Sequence, residues 1–187
     1  TTRANPLKQP FGVDFDAQGN MFIVELSGGR VHKLTPENIF TTIAGDGSKS
    51  YKGDGGPAKV ATFNGMHNVA VTPIGDVYIS DSWNFCVRKI DTRGIASTVV
   101  GTGKRGFGGD GGPLLKAAFT FTMCITMNTA HDQIYIADIQ NRRIRVADLK
   151  SGKVSTIAGN GKRGIPTDGT QATEAPLVDP RAVAPDS

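Results

Sequence analysis

The chain has 187 residues, of which 24 are glycine and only 7% are aromatic. Lysine and arginine outnumber the acidic residues by 21 to 17, which gives a net charge of +4. This mildly basic balance permits a polyanionic partner without requiring one. No run of about 18 apolar residues is present, so the sequence excludes a membrane-spanning helix, and we expect no membrane insertion.

The first 45 residues predict four short strands, with no helical periodicity anywhere among them. Short apolar runs are separated by turn residues such as Gly19 and the pair Gly28 and Gly29. The predicted strands are residues 12–15, 21–26, 30–34 and 40–44. Four antiparallel strands in about 35 residues are typical of one blade of a β-propeller.

The same unit recurs twice more along the chain. Each copy closes on a similar phrase, TTIAG, STVVG or STIAG, which ends at Gly45, Gly101 and Gly159 respectively. The later predicted strands are residues 69–71, 77–80, 86–90 and 96–100, then 125–127, 133–137, 144–148 and 154–158. A repeat of this length indicates small sheets that share one continuous core. We place the three blades at residues 10–45, 66–101 and 122–159.

The segments between the blades repeat as well. GDGGP at residues 53–57 returns at 109–113, and a degraded copy follows at 167–170. Each closing glycine lies 24 residues before an apolar residue of the next inner strand, namely Val69, Ile125 and Val183. We therefore predict that these loops belong to the repeating unit. The match of residues 180–183 to 10–13 predicts the inner strand of a fourth blade at 180–187.

The joint pattern of YISDSWNFCVRKID or YIADIQNRRIRVAD, then TIAG and GDGGP, resembles NHL repeats over nearly the whole chain. The first blade departs most, with Glu25, Gly28 and His32 where the other blades have aspartate, asparagine and arginine. The resemblance implies an all-β propeller, commonly six-bladed, that mostly acts as a scaffold for protein, nucleic-acid or ligand contacts. It also implies that a minority of related propellers are enzymes.

Three blades form half of a six-bladed ring, so we interpret residues 1–187 as a single NHL-like propeller segment. The open faces of the end blades should be apolar, because blades pack face to face, and such faces are association sites. We expect a homodimer that completes the ring. The fourth inner strand of one copy would then compete with the first inner strand of the other. A piece of a longer propeller is the alternative.

Two acid–base pairs recur at one spacing, Asp81 with Arg88 and Asp138 with Arg145. Repetition in successive blades favours a structural role for them over a ligand-binding role. The loop aspartates are Asp54, Asp110 and Asp168. We interpret them as caps of backbone N–H groups in their own loops, with a calcium site as the alternative.

His67 is the histidine of most interest, since it lies at the start of an inner strand, aligned with Phe11, Cys124 and Arg181. In a propeller this position borders the central channel. His32 replaces a blade arginine, and His131 lies in a turn. No histidine pair has metal-ligand spacing, so we predict neither a metal nor a cofactor. Cys86 and Cys124 are expected to be free thiols.

Basic residues are predicted to share the face on which the inner strands begin, with aromatic residues beside them. This candidate binding surface comprises His67, Trp83, Phe85, Lys104, Arg105, Arg142, Arg143 and Arg181, with Lys162 and Arg163 nearby. Arginine and aromatic side chains bind RNA bases and phosphates, and they are equally common in protein-binding hot spots.

The favoured hypothesis is a non-enzymatic interaction scaffold that binds a protein partner. The alternatives are single-stranded RNA binding by the basic face, or a metal-dependent enzyme of the lactonase or lyase kind. No nucleophile elbow or phosphate-binding loop is present, which argues against an enzyme. Since the chain starts at Thr1 rather than methionine, we expect a processed product or an excised piece. Either a cytoplasmic or an exported soluble protein fits this expectation.

Overall fold

A computed structural model describes residues 7–186, which form twelve β-strands in three antiparallel sheets of four. Blade 1 contains β1 (Pro10–Phe15), β2 (Met21–Glu25), β3 (Val31–Leu34) and β4 (Phe40–Ala44). Blade 2 contains β5 (Met66–Val71), β6 (Val77–Asp81), β7 (Cys86–Ile90) and β8 (Ala96–Val100). Blade 3 contains β9 (Thr122–Met127), β10 (Gln133–Asp138), β11 (Arg143–Asp148) and β12 (Lys153–Ala158).

Each sheet is a simple up-and-down array in which consecutive strands pair. The first strands of the three sheets, β1, β5 and β9, contact one another in sequence. The sheets therefore radiate from a shared inner side, and the prediction of propeller blades is confirmed. Helix is limited, within residues 7–186, to short 3-10 turns at Ala58–Val60, Ser82–Asn84, Leu114–Lys116 and Ile139–Asn141.

The core consists of two apolar layers, one on each side of blade 2. The first layer joins Phe22 and Val24 of blade 1 to Val69, Val71 and further residues of blade 2. The second layer joins the opposite face of blade 2 to blade 3, and its members include Tyr78, Val87, Ile125, Ile134 and Ile136. Because strand side chains alternate between faces, blade 2 supplies both layers.

The glycine that closes each blade is required by its backbone and by its surroundings. Gly101 has a φ of 103°, and a Cβ atom built there would lie 2.8 Å from the carbonyl oxygen of Phe85. At Gly45 and Gly159 the equivalent atom would lie 2.0 and 2.1 Å from a carbonyl oxygen. Any residue with a Cβ atom would therefore fit at these positions only if the backbone moved. The TTIAG, STVVG and STIAG phrases therefore mark a close approach of the third and fourth strands.

The predicted inner strand at 180–187 differs from the expectation. Residues 180–186 form no hydrogen-bonded strand, because the described part of the chain offers them no partner strand, and Ser187 lies outside the described residues. The segment nevertheless occupies an inner-strand position. The backbone N–H of Val183 hydrogen-bonds to the Cys124 sulfur, as that of the equivalent Ile125 does to the Asn68 side chain at 3.1 Å. The match to the later repeats also predicts residues 1–9 as the end of a loop between blades, and the first six of these lie outside the described part.

No helix within residues 7–186 is long and apolar enough to cross a membrane.

Candidate functional site

The inner strands begin with an irregularity that turns one side chain toward the centre of the array. Register shifts occur between Pro10 and Val13 in β1 and between Met66 and Asn68 in β5. The pairs Val69 with Ile79 and Ile125 with Ile136 are equivalent, and they align His67 with Met123. The prediction that Cys124 occupies this position is therefore wrong by one residue: Met123 lies 22 residues after Gly101, as His67 lies 22 residues after Gly45.

These positions converge on one cavity of about 460 Å³, which we call the channel-mouth pocket. Its lining combines aromatic, apolar and charged side chains: Phe11, His67, Phe121, Met123, Ile139, Gln140, Asp179 and Arg181. A cavity in which aromatic side chains and a few polar groups converge is a common form of binding site. The structure thus brings together His67 and Arg181 of the candidate surface, whereas His32 and His131 lie elsewhere.

His67 lies at the centre of the pocket wall, held by rings on three sides. Its ring centroid is 4.9 Å from that of Phe11, 4.8 Å from Phe121 and 6.2 Å from Trp83. Its Nδ1 atom hydrogen-bonds to the carbonyl oxygen of Gly65 at 2.7 Å, which requires a proton on Nδ1. Burial lowers the pKa of His67, although this hydrogen bond opposes the shift. A neutral imidazole therefore presents its Nε2 lone pair as an acceptor.

Basic side chains surround the pocket at two points. Lys49 lies over the Trp83 ring, with its Nζ 5.8 Å from the ring centroid, and 40% of the Trp83 surface is exposed. Arg105 donates from Nη2 to Oε1 of Gln140, a pocket residue, at 2.9 Å. Sequence reasoning did not include Lys49, although it lies four residues after its closing glycine, as Arg105 and Arg163 do. The predicted residues Lys104, Lys162 and Arg163 are exposed.

Three residues of the candidate surface lie at the turns that lead into the third strands of blades 2 and 3. Arg143 donates to the carbonyl oxygens of Asn141 and Asn160 at 2.9 and 2.8 Å. Arg142 and Phe85 take left-handed conformations, with φ of 51° and 56°, in the turn before a third strand. All three residues are half-buried.

The acid–base pairs form a repeated buried lock. Arg88 and Asp81 are both fully buried, and their Nη1 and Oδ2 atoms are 3.6 Å apart. Arg145 and Asp138 repeat the burial and the distance. Burial raises the pKa of Asp81 to about 7, against the opposing effect of hydrogen bonds from Asn64, Asn84 and Arg88.

The loop aspartates complete this lock, so their interpretation as caps of their own loops is wrong. Asp54 lies 2.8 Å from Arg88 and accepts a hydrogen bond from Thr98 at 2.7 Å. Asp110 does the same with Arg145 and Thr156, at 2.6 and 2.7 Å. Each carboxylate binds the arginine of the following blade, because a hydrogen bond to a charged guanidinium is stronger than one to a neutral backbone N–H group of its own loop.

Aromatic rings enclose each arginine of the lock. The guanidinium carbon of Arg88 lies 5.3 Å from the Tyr51 ring centroid and 5.0 Å from that of Phe63. Arg145 lies 5.2 Å from Phe107 and 5.1 Å from Phe119. We call this enclosure, two rings and one loop aspartate, the arginine cage. It joins each loop to the blade that follows the loop.

Blade 1 carries a modified lock. Glu25 is 3.4 Å from the Nε2 atom of His32, and its Oε1 accepts the backbone N–H of Lys8 at 2.8 Å. The longer glutamate reaches into the space above Gly28, where an added Cβ would lie 1.7 Å from Glu25 Oε2. The departures at these three positions are therefore one coordinated change.

Residues 7–186 contain no group of three or more histidine, cysteine, aspartate or glutamate side chains arranged to hold a metal ion. Within that range both cysteines are free thiols, Cys86 buried and Cys124 half-buried, and burial raises the pKa of each. The pocket itself contains one histidine and one aspartate. Its lining thus offers aromatic rings, hydrogen-bonding groups and one side chain of each charge, Asp179 and Arg181.

Three consecutive four-stranded blades around an inner channel mouth define a protein of the β-propeller class. No protein-family model matches the chain. It is 27% identical over 148 residues to NHL repeat-containing protein 2 of Gallus gallus. The alignment covers 73% of this chain and 20% of that protein. The chain therefore spans about a fifth of the length of this relative.

Two solved structures from Bacteroides thetaiotaomicron have a similar fold, each at 18% sequence identity. One, a structural genomics protein of unknown function, gives a TM-score of 0.73 over 92% of this chain and 41% of that protein. The other, an auxiliary nutrient binding protein, gives 0.67 over 91% and 41%. These similarities show the β-propeller fold, and the match to an NHL repeat-containing protein supports a propeller of the NHL type.

Proposed function

We propose that the chain is a non-enzymatic interaction scaffold of NHL repeats that self-associates to complete a six-bladed ring. In this proposal residues 1–187 form one propeller segment, with blades at 10–45, 66–101 and 122–159 and part of a fourth at 180–187. Partner molecules bind at the part of the channel-mouth pocket formed by Phe11, His67 and Phe121, which remains on the inner side of the ring when the segment with Asp179 and Arg181 is displaced. The repeat scaffold and its binding role agree with the NHL-type fold.

The open face of blade 1 is the observation that carries this proposal. Val13 and Phe15 are 51% and 53% exposed. The equivalent residues of blade 2, Val69 and Val71, are 3% and 8% exposed because blade 1 covers them. A blade face built for packing is thus left uncovered, and an exposed apolar patch of this kind is a site of association.

Measurement of the mass in solution tests the assembly. Sedimentation equilibrium should give a dimer of the 19.7 kDa chain. Phe15→Asp should convert the dimer to a monomer, because it places a charge in the covered face. The matched control is Ile74→Asp, which changes a turn residue that is 74% exposed. A wild-type chain that is monomeric at high concentration contradicts the proposal.

Single-stranded RNA is the second candidate ligand, and the exposed Trp83 ring beside Lys49 supports it. Aromatic stacking next to positive charge is the usual means of binding single strands. Oligonucleotide binding should weaken steeply as salt rises from 50 to 200 mM, because counterions are released on binding. Trp83→Ala should reduce affinity, whereas Arg93→Ala, a change at an exposed turn, should not. Binding that is absent or insensitive to salt would favour a protein partner.

A further inference from the structure

The loop after blade 3, residues 160–179, here called the third loop, folds like the loops after blades 1 and 2. Gly159 donates its N–H to Ala172 O at 2.8 Å, and Asn160 donates to Ala175 O at 3.0 Å. The same two hydrogen bonds begin both earlier loops, at distances from 2.9 to 3.1 Å. Residues of the third loop therefore occupy the positions from which the earlier loops contact the blade that follows them.

The third loop has residues at the loop positions of the arginine cage, but within residues 7–186 no arginine lies beside them. Asp168 is equivalent to Asp54 and Asp110, and it is exposed. Its carboxylate forms no ion pair or hydrogen bond with residues 7–186, whereas its two counterparts each bind an arginine and a threonine. Ile165 replaces the outer ring of the cage and is 87% exposed. The loop thus lacks the cation around which its counterparts are built.

Blade 1 presents the complementary half. His32 stands at the arginine position, and Thr42 is equivalent to Thr98 and Thr156, the threonines that bind a loop aspartate. Without an aspartate from a preceding loop within residues 7–186, the Thr42 hydroxyl instead contacts His32 Nδ1 at 3.0 Å. A cationic or neutral imidazole and a hydroxyl are both able to donate to a carboxylate.

Within residues 7–186, no segment pairs with the outer edge of blade 1. In blade 3 the second loop adds along the outer strand, where Gly111 donates to Val154 O at 2.8 Å and Val154 donates to Gly112 O at 3.2 Å. The equivalent residue of blade 1 is Phe40, which is 49% exposed. Backbone groups at this edge remain available for the addition of a strand-like segment.

We propose that the third loop of one copy docks on the outer edge of blade 1 of a second copy, with Asp168 accepting hydrogen bonds from that copy's His32 and Thr42. This inference rests on the proposed self-association and specifies its contact. The third loop then covers the second copy's β4 as the first loop covers β8.

The occupant is a second copy because the two halves depart from the other blades in matching ways. An aromatic cage accompanies arginine in blades 2 and 3. In the third loop the residues at the ring positions are Ile165 and Leu177, and the blade that lacks arginine has His32. In the proposed contact, an imidazole beside two aliphatic side chains takes the place of the larger guanidinium beside two aromatic rings. A following blade with arginine would instead be expected beside two rings.

Sedimentation equilibrium of wild type and two variants tests the contact. Asp168→Asn should raise the dimer dissociation constant about tenfold, since it removes the charge from a carboxylate that accepts two hydrogen bonds. Glu174→Gln removes one negative charge from an exposed position of the same loop and should change the constant less than twofold. Both residues are exposed, so neither variant should impair folding.

Cross-linking gives the orientation of the contact. In a Cys124→Ser background, a mixture of Asp168→Cys and Thr42→Cys chains should form a covalent heterodimer under a mild thiol oxidant. Thr41→Cys is the matched control, because neighbouring strand residues point to opposite faces. It should cross-link poorly.

The outcomes separate the two proposals. A wild-type monomer would overturn both. A stable wild-type dimer that Asp168→Asn leaves unchanged, or that cross-links through position 41 as fast as through position 42, would overturn the loop contact alone.

Discussion

A fully buried arginine is the most demanding residue of each complete blade. Arg88 and Arg145 have no exposed surface, yet each meets one buried carboxylate, one loop carboxylate and two aromatic rings. Desolvation of a guanidinium costs several kcal/mol, which such a full set of partners offsets. The arrangement links a blade to the loop before it, so the residue transmits stability between successive repeats.

Replacement of a buried arginine should therefore be severe. Arg88→Ala should lower the free energy of unfolding by about 3–5 kcal/mol, because Asp81 would remain buried without its cation. Arg93→Ala is the control: Arg93 pairs with Asp91 at 2.7 Å but its side chain is 81% exposed, and the expected loss is below about 1 kcal/mol. Urea denaturation measures both. Equal effects of the two variants would contradict a structural role for the lock.

The pocket histidine should make stability depend on pH. Since burial lowers the pKa of His67 below about 6.5, the folded state binds fewer protons than the unfolded state near that pH. Its contribution is present above the unfolded pKa and is lost as pH falls toward the folded pKa.

His67→Phe should accordingly reduce the slope of unfolding free energy against pH between 7 and 5, by at most about 1.4 kcal/mol per unit. Urea denaturation at a series of pH values measures the slope. Trp83→Phe, which keeps His67, should retain the wild-type slope. A His67→Phe slope equal to that of wild type would show that His67 titrates alike in both states.

At the scale of elements, the sequence predicted the structure best at positions where only glycine fits the backbone. The close approach of strands at Gly45, Gly101 and Gly159 excludes side chains, so glycine recurs there and sets the register of each blade. Alternation of apolar residues similarly fixed the strand positions, because blade faces are buried on both sides in the middle of the array.

The contacts that sequence reasoning missed are those between distant elements. Asp54 binds Arg88, which follows it in the sequence by part of a loop and two strands, and no local sequence pattern predicts this contact. The recurrence of both residues at almost the same separation in the next repeat was the available signal. The alignment of Met123 with His67, by contrast, was available from the sequence, since each lies 22 residues after a closing glycine and both strands carry the same irregularity.

The closing glycine gives a direct test of the element. Gly101→Ala should cost more than about 2 kcal/mol, because it combines a positive φ with a Cβ that meets Phe85 O at 2.8 Å. Gly94→Ala has a similar φ of 76° but no atom within 4 Å of the added Cβ, and should cost only about 1 kcal/mol. Thermal denaturation compares them. If both variants lose the same stability, conformation alone and not the close approach explains the glycine.

At the scale of the whole molecule, the segment at residues 179–186 occupies a position that the proposed ring also requires. Val183 lies where the inner strand of a next blade would lie, held by its N–H to the Cys124 sulfur. In a ring of two copies, β1 of the second copy requires that same position, and the two cannot occupy it together. Dimer formation must therefore displace the segment, which weakens association by the free energy of the contacts it gives up.

Removal of residues 179–187 should thus strengthen self-association. We expect a lower dimer dissociation constant in sedimentation equilibrium, by several-fold, since the cost of displacement disappears. Arg181→Ala keeps the backbone of the segment while removing a side chain at its surface, and should retain most of that cost. Weaker association of the shortened chain would instead mean that the segment pairs with β2 of the second copy, as an exchanged inner strand that contributes to the ring.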